Sequence, residues 1–107
     1  METIEKSRIF DASEIIGYAS DAIVSKVIVK QQGGNVTLFA FDKGQELSEH
    51  SAPFDAFVQV VEGEAEIIIN KQSFYLKSGQ NIIMQANIPH AVNAIEKFKM
   101  MLTMIKN

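Results

Sequence analysis

The sequence predicts an all-β domain, an antiparallel sandwich or barrel, and three observations support this. At least eight short runs are rich in β-branched and aromatic residues, and Gly, Asn, Asp and Ser clusters separate them every few residues. No stretch carries the periodicity of an amphipathic helix of useful length. A parallel α/β sheet would need a helix between successive strands, so that class is excluded.

Along the chain, Phe10, Asp11, Glu14 and Ile15 stand where a helix would begin, with Asp11 as N-cap, Glu14 as its reciprocal partner and Phe10 stapled on Ile15. Gly17 ends this segment after about one turn. Residues 1–22 therefore read as a strap with a short helical turn, covering an open edge of a barrel domain that occupies 23–107. Ile23 to Lys30 and Val36 to Phe41 form a hairpin around Gly33-Gly34, and Asp42-Lys43-Gly44 turns the chain again. Ala56 to Val61 and Ala65 to Ile69 flank the turn Glu62-Gly63-Glu64. Ser73 to Lys77, Asn81 to Met84, Ala91 to Ile95 and Phe98 to Ile105 complete the set.

The composition narrows the functional classes. A chain of 107 residues is one domain with a sizeable core. No apolar run reaches membrane-spanning length, and the net charge of −3 comes without any basic stripe, so neither a membrane nor a nucleic acid is an expected partner. Met1 to Arg8 does not resemble a secretory signal, which makes the cytoplasm the expected compartment. With no cysteine, any metal must be held by nitrogen and oxygen.

Two stretches hold both histidines: Gly44 to Gly63 contains His50, and Gly79 to Asn93 contains His90. Gly44, His50 and the Val60-Val61-Glu62-Gly63-Glu64 turn resemble the first cupin motif. Leu76-Lys77-Ser78-Gly79 and His90 resemble the second. The likeness covers roughly residues 36 to 105. It implies a small single-domain cupin, an RmlC-like antiparallel double-stranded β-helix or jelly-roll barrel, with its two motifs on facing strands and a pocket inside. It also implies a homodimer.

The resemblance further implies a ligand set of three histidines and a glutamate, of which this chain keeps two. His50 and His90 match the first and last histidines, whereas the second histidine falls on Ala52 and the glutamate on Ala56. The proline and glycine that usually precede the last histidine fall on Gln85 and Asn87. Two imidazoles fall short of the about three protein ligands of a catalytic site. Gln45, Glu49, Asp55 and Gln85 are the oxygen donors nearest in sequence. No cofactor is firmly expected, although Zn, Ni, Mn, Fe or Cu could occupy His50 and His90.

Period-two alternation in the resemblance's register points His50, Ala52, Ala56, Val58 and Val60 into the barrel. Met100 and Met104 share a face with Phe98 and Leu102, where packing is a stronger reading than soft-metal binding. The expected ligand contacts are therefore His50, His90, Val58, Val60, Met100 and Leu102. The favoured function is binding of a small polar or anionic molecule through the two imidazoles. The alternative is a metal-dependent oxygenase, isomerase or lyase with a non-standard ligand set, and a pure scaffold is a third reading.

Overall fold

The computed structural model describes residues 4–106, so residues 1–3 of the expected strap and residue 107 of the expected barrel lie outside the described residues. Among the described residues there are nine strands and no helix. They are β1 (Ile23–Gln31), β2 (Gly34–Phe41), β3 (Glu46–His50), β4 (Ala56–Glu62), β5 (Glu64–Ile69), β6 (Gln72–Lys77), β7 (Asn81–Met84), β8 (His90–Asn93) and β9 (Phe98–Ile105). They make a five-stranded sheet, β1-β2-β9-β4-β7, and a four-stranded sheet, β3-β8-β5-β6, with every pairing antiparallel.

The connections sort onto two ends of this sandwich. The β1–β2 and β5–β6 turns, the 51–55 loop and the 85–89 loop lie at one end, here the rim. The β2–β3, β4–β5, β6–β7 and β8–β9 connections lie at the other, the floor. Floor connections are tight because glycine permits them. Gly63 has φ +83°, and a Cβ there would lie 2.8 Å from Cα of Phe98, so only glycine fits beneath the start of β9.

The two stacked phenylalanines toward the floor centre the core. Phe41 and Phe98 are fully buried cross-strand partners whose rings stack at 4.6 Å between centroids, and Val60, Ala65, Ile67 and Val92 fill the space around them. Along the inward face of β9, burial relaxes from Phe98 and Met100 to the half-buried Leu102 and Met104. The inward face of β5 behaves alike, from Ala65 and Ile67 to Ile69. The interior is a packed core, with half-buried Ile69, Leu102 and Met104 toward the rim.

The N-terminal segment departs from expectation in two respects. It makes a single turn, closed by the Asp11 carbonyl accepting from the amides of Glu14 and Ile15, while Phe10 stays 39% exposed and outside the packed cluster. It also covers a sheet face rather than an edge. Ile16 is buried with Leu38 and Ala40 on the outer face of β2, and Ala12, Ile15, Tyr18, Val24, Ile28 and Met101 pack around them. A polar latch accompanies this contact: Lys99, buried on β9, donates to the Ser13 carbonyl and lies 3.6 Å from Glu62, which accepts from the Tyr18 hydroxyl.

Candidate ligand site at the barrel rim

β3 was not separable by pattern from the Gly44 to Ala52 passage, because its Glu46-Leu47-Ser48-Glu49-His50 sequence is mostly polar and mostly exposed. Leu47 faces inward opposite Val92. Simple alternation would next bring Glu49 inward and turn His50 to solvent. A bulge between Leu47 and His50 inserts one extra residue and sets His50 opposite His90, yet His50 stays exposed to solvent rather than enclosed in the barrel as expected from sequence. The two histidines are thus cross-strand neighbours in one sheet, which corrects the expectation of facing strands.

Their rings meet edge to face at 4.4 Å between centroids. Each is held in the same manner. Nδ1 of His50 lies 2.8 Å from the Ser48 carbonyl, and Nδ1 of His90 lies 3.1 Å from the Ile88 carbonyl, each two residues back. A carbonyl oxygen can only accept, so both Nδ1 atoms carry a proton, and in the neutral ring the lone pair falls on Nε2. His90 is 5% exposed, and burial first, with the neighbouring His50 also contributing, pushes its pKa below the ordinary imidazole range. The neutral acceptor form is therefore the resting state of His90.

The loops around the pair are knit together. The Asn87 amide donates to the Ala52 carbonyl at 2.7 Å, and the Ala86 amide donates to Oδ1 of Asp55 at 2.8 Å. Lys71 in the β5–β6 turn reaches Glu49 at 3.2 Å, and the Asn70 amide donates to the Pro89 carbonyl at 2.8 Å. These contacts occupy two of the four oxygen donors considered from sequence, Asp55 and Glu49. Gln45 lies at the floor, where its carbonyl accepts from Ala94, and the Gln85 side chain is exposed at the rim.

Of the hydrophobic contacts expected from sequence, Val58, Val60 and Met100 are core. Each is at most 1% exposed and packs in the barrel core. Leu102 alone among them is half-buried, packed against the edge of that core. The methionines divide by packing: Met84, Met100 and Met104 belong to the core cluster and Met101 to the cluster beneath the strap. The sequence rule missed the bulge, which inserts a residue without leaving a distinctive residue type.

The two sheets and the rim histidine pair define the class, a small double-stranded β-helix barrel. The Cupin domain family matches residues 37–106, and the chain belongs to that family. A conserved protein of unknown function from Streptococcus pyogenes is 38% identical, with a TM-score of 0.92 over 97% of this chain and 91% of its own. A cupin 2 conserved barrel domain protein from Leptotrichia buccalis is 40% identical with a TM-score of 0.88, and 91% of this chain spans 47% of that one. A salicylate 1,2-dioxygenase from Pseudaminobacter salicylatoxidans, 15% identical over 81% of this chain and 27% of its own with a TM-score of 0.74, shares the fold alone. No curated protein matches the sequence.

The cupin ligand set is only half present. Among the described residues no group of three or more His, Cys, Asp or Glu side chains is placed to hold a metal. Position 52 carries a methyl group, and Ala56 is buried in the core cluster between Met84 and Met104 on the adjoining strands. The residues present do not fit a catalytic metal centre of the usual ligand count. Among the described residues no helix is long and apolar enough to cross a membrane.

Proposed function

We propose that this cupin-domain protein binds a small polar molecule at the rim of its barrel, with Nε2 of His50 and His90 as paired hydrogen-bond acceptors. The observation that carries this reading is the commitment of both Nδ1 protons to backbone carbonyls, which leaves Nε2 of two adjoining rings free to accept at the rim. Neutral acceptors attract donors, so the reading favours hydroxyl and amino groups over the anions also considered from sequence. The half-buried Ile69 and Leu102 supply apolar surface beside them.

The test is calorimetric titration of metal-free protein with polyols, amines and carboxylates. Saturable binding that falls at least tenfold in both His50→Ala and His90→Ala supports the proposal. Binding of none, or binding indifferent to both substitutions, removes it.

A metal-dependent enzyme is the second reading, and the Nδ1 bonds of both rings favour it, since metal-bound imidazoles commonly donate their other nitrogen to a carbonyl. Elemental analysis after metal reloading separates the two. Near-stoichiometric metal that is lost in the His50→Ala/His90→Ala double variant would install this second reading in place of the first.

The proposal extends to a cytoplasmic homodimer. An apolar strip on the outer face of the five-stranded sheet, formed by Phe57, Ile83 and Ile105, leaves Ile83 62% and Ile105 63% exposed. The strap covers the opposite half of that face, so this strip is what remains for a second copy.

A further inference from the structure

Asn35 lies on the inward face of β2, paired with Met104 of β9, which pairs in turn with Ala56 of β4. Ala56 follows His50 across the 51–55 loop, so the row Asn35, Met104, Ala56 belongs to the rim end. The five-stranded sheet thus sets an amide at the same end of the barrel at which the four-stranded sheet sets its two imidazoles, the buried His90 and the exposed His50. Every other inward position of β2 is different in kind: Thr37 is small, and Phe39 and Phe41 join the core.

Among the described residues, Oδ1 of Asn35 is the buried side-chain polar atom without a hydrogen-bond partner in the protein. A buried carbonyl left unmatched is costly, and such groups are rare in folded proteins. Turning the amide by half a turn would replace the carbonyl with an NH2 group and leave a buried donor in its place. A leucine, with the same number of side-chain heavy atoms, would leave no unmatched polar group here. The residue is one that packing disfavours, located at the rim end of the barrel.

We infer that Asn35 is a third ligand-contacting residue of the rim site, and that the ligand is a small neutral or cationic molecule with several O–H or N–H donors, a polyol or an amine. The inference rests on the proposed rim site and adds the opposite wall to it. Oδ1 of Asn35 and Nε2 of His50 and His90 are all acceptors, so three donors on one molecule would match them, and a ligand that can only accept would match none.

Myo-inositol and putrescine serve as donor probes and sulfate as the acceptor-only probe, each titrated calorimetrically into wild type, Asn35→Leu, Asn35→Ser and His50→Ala. The inference expects wild type to bind one donor probe but not sulfate, and both Asn35 variants to bind it at least tenfold more weakly. The unliganded Asn35→Leu protein should also melt higher, by about 4–8 °C if relieving the unmatched carbonyl gains roughly 1 kcal/mol. Binding in Asn35→Leu and Asn35→Ser equal to wild type, with His50→Ala still impaired, overturns the role of Asn35 and leaves the histidine site standing. Tight binding of sulfate overturns the ligand class. Failure of wild type to bind either donor probe overturns the inference and the rim site as a donor-binding site together. If Asn35→Leu does not fold, Asn35→Ser alone decides.

Discussion

The Tyr18 hydroxyl lies 2.5 Å from Oε2 of Glu62, so a residue of the N-terminal segment is bonded to the last residue of a central strand 44 positions away. Glu62 stands where β4 shifts register against β9, which brings it opposite Lys99. The Lys99 ammonium lies 4.9 Å from the centre of the Tyr18 ring. The strap is therefore held by polar chemistry as well as by Ile16.

Desolvation by burial, then the hydrogen bond to Glu62 and its charge, push the Tyr18 phenol above its ordinary range. The folded state thus keeps this proton where the unfolded chain loses it. Stability from this group is full below the unfolded value of about 10 and is lost as pH rises beyond it. An ultraviolet titration should show one of the two tyrosines ionising late, and Tyr18→Phe should remove that phase. The substitution should cost about 1–2 kcal/mol in urea unfolding.

His90 gives the opposite dependence. Its pKa is lowered on folding, so the unfolded chain binds the proton more readily and folding favours the neutral ring. This contribution is complete above the unfolded value of about 6.5 and declines as pH falls below it. Melting temperatures measured from pH 8 to pH 5 should fall at the acid end, and the fall should be shallower in His90→Gln. An identical acid slope in that variant would assign the effect to other groups.

Gly63 and Gly79 both hold positive φ, +83° and +91°, but their surroundings differ. A Cβ at position 63 collides with backbone at Lys97 and Phe98, whereas at position 79 nothing lies within 4 Å. Gly79→Ala should cost about 1–2 kcal/mol from backbone conformation alone. Gly63→Ala should cost visibly more, because β9 must move as well. Equal losses in denaturant unfolding would show that the collision is relieved without cost.

Position 52 offers a gain-of-function test. Its carbonyl accepts from Asn87, which holds this part of the 51–55 loop against the 85–89 loop that leads into His90. Ala52→His would return a third imidazole to the family's motif position. The variant should retain Ni or Zn through gel filtration in larger molar proportion than wild type, read by elemental analysis, with near-equal retention counting against the carried-over register.

Strand boundaries were legible where β-branched runs met glycine turns. Asn81 to Met84 and Phe98 to Ile105 coincide with β7 and β9, and the Ile23 to Phe41 hairpin forms as the pattern requires. The polar β3 was not legible as a separate strand, since what decides its existence is pairing with β8, a tertiary event. The histidine pair could be found from motif spacing. Asn35 could not, because a polar residue in an otherwise apolar strand reads the same whether its amide meets solvent, protein or ligand. Val58, Val60 and Met100 show the converse limit: alternation gives the side of a sheet, and burial on that side depends on the tertiary neighbours, since Val58 is buried while its cross-strand partner Leu102 is half-buried.

The position of β9 in the five-stranded sheet has a consequence for how the chain acquires its shape. It lies between β2 and β4, so the hairpin β1-β2 and the pair β4-β7 are separate pieces until residues 98–105 slot between them. Insertion of a late, central strand imposes long loop closures, which places folding among the slower β topologies at milliseconds to seconds. Until then two unpaired strand edges stand open to neighbouring chains. A nascent chain still lacking β9 is therefore the species most prone to aggregate, and its half-life during synthesis, more than the final stability, would govern soluble yield.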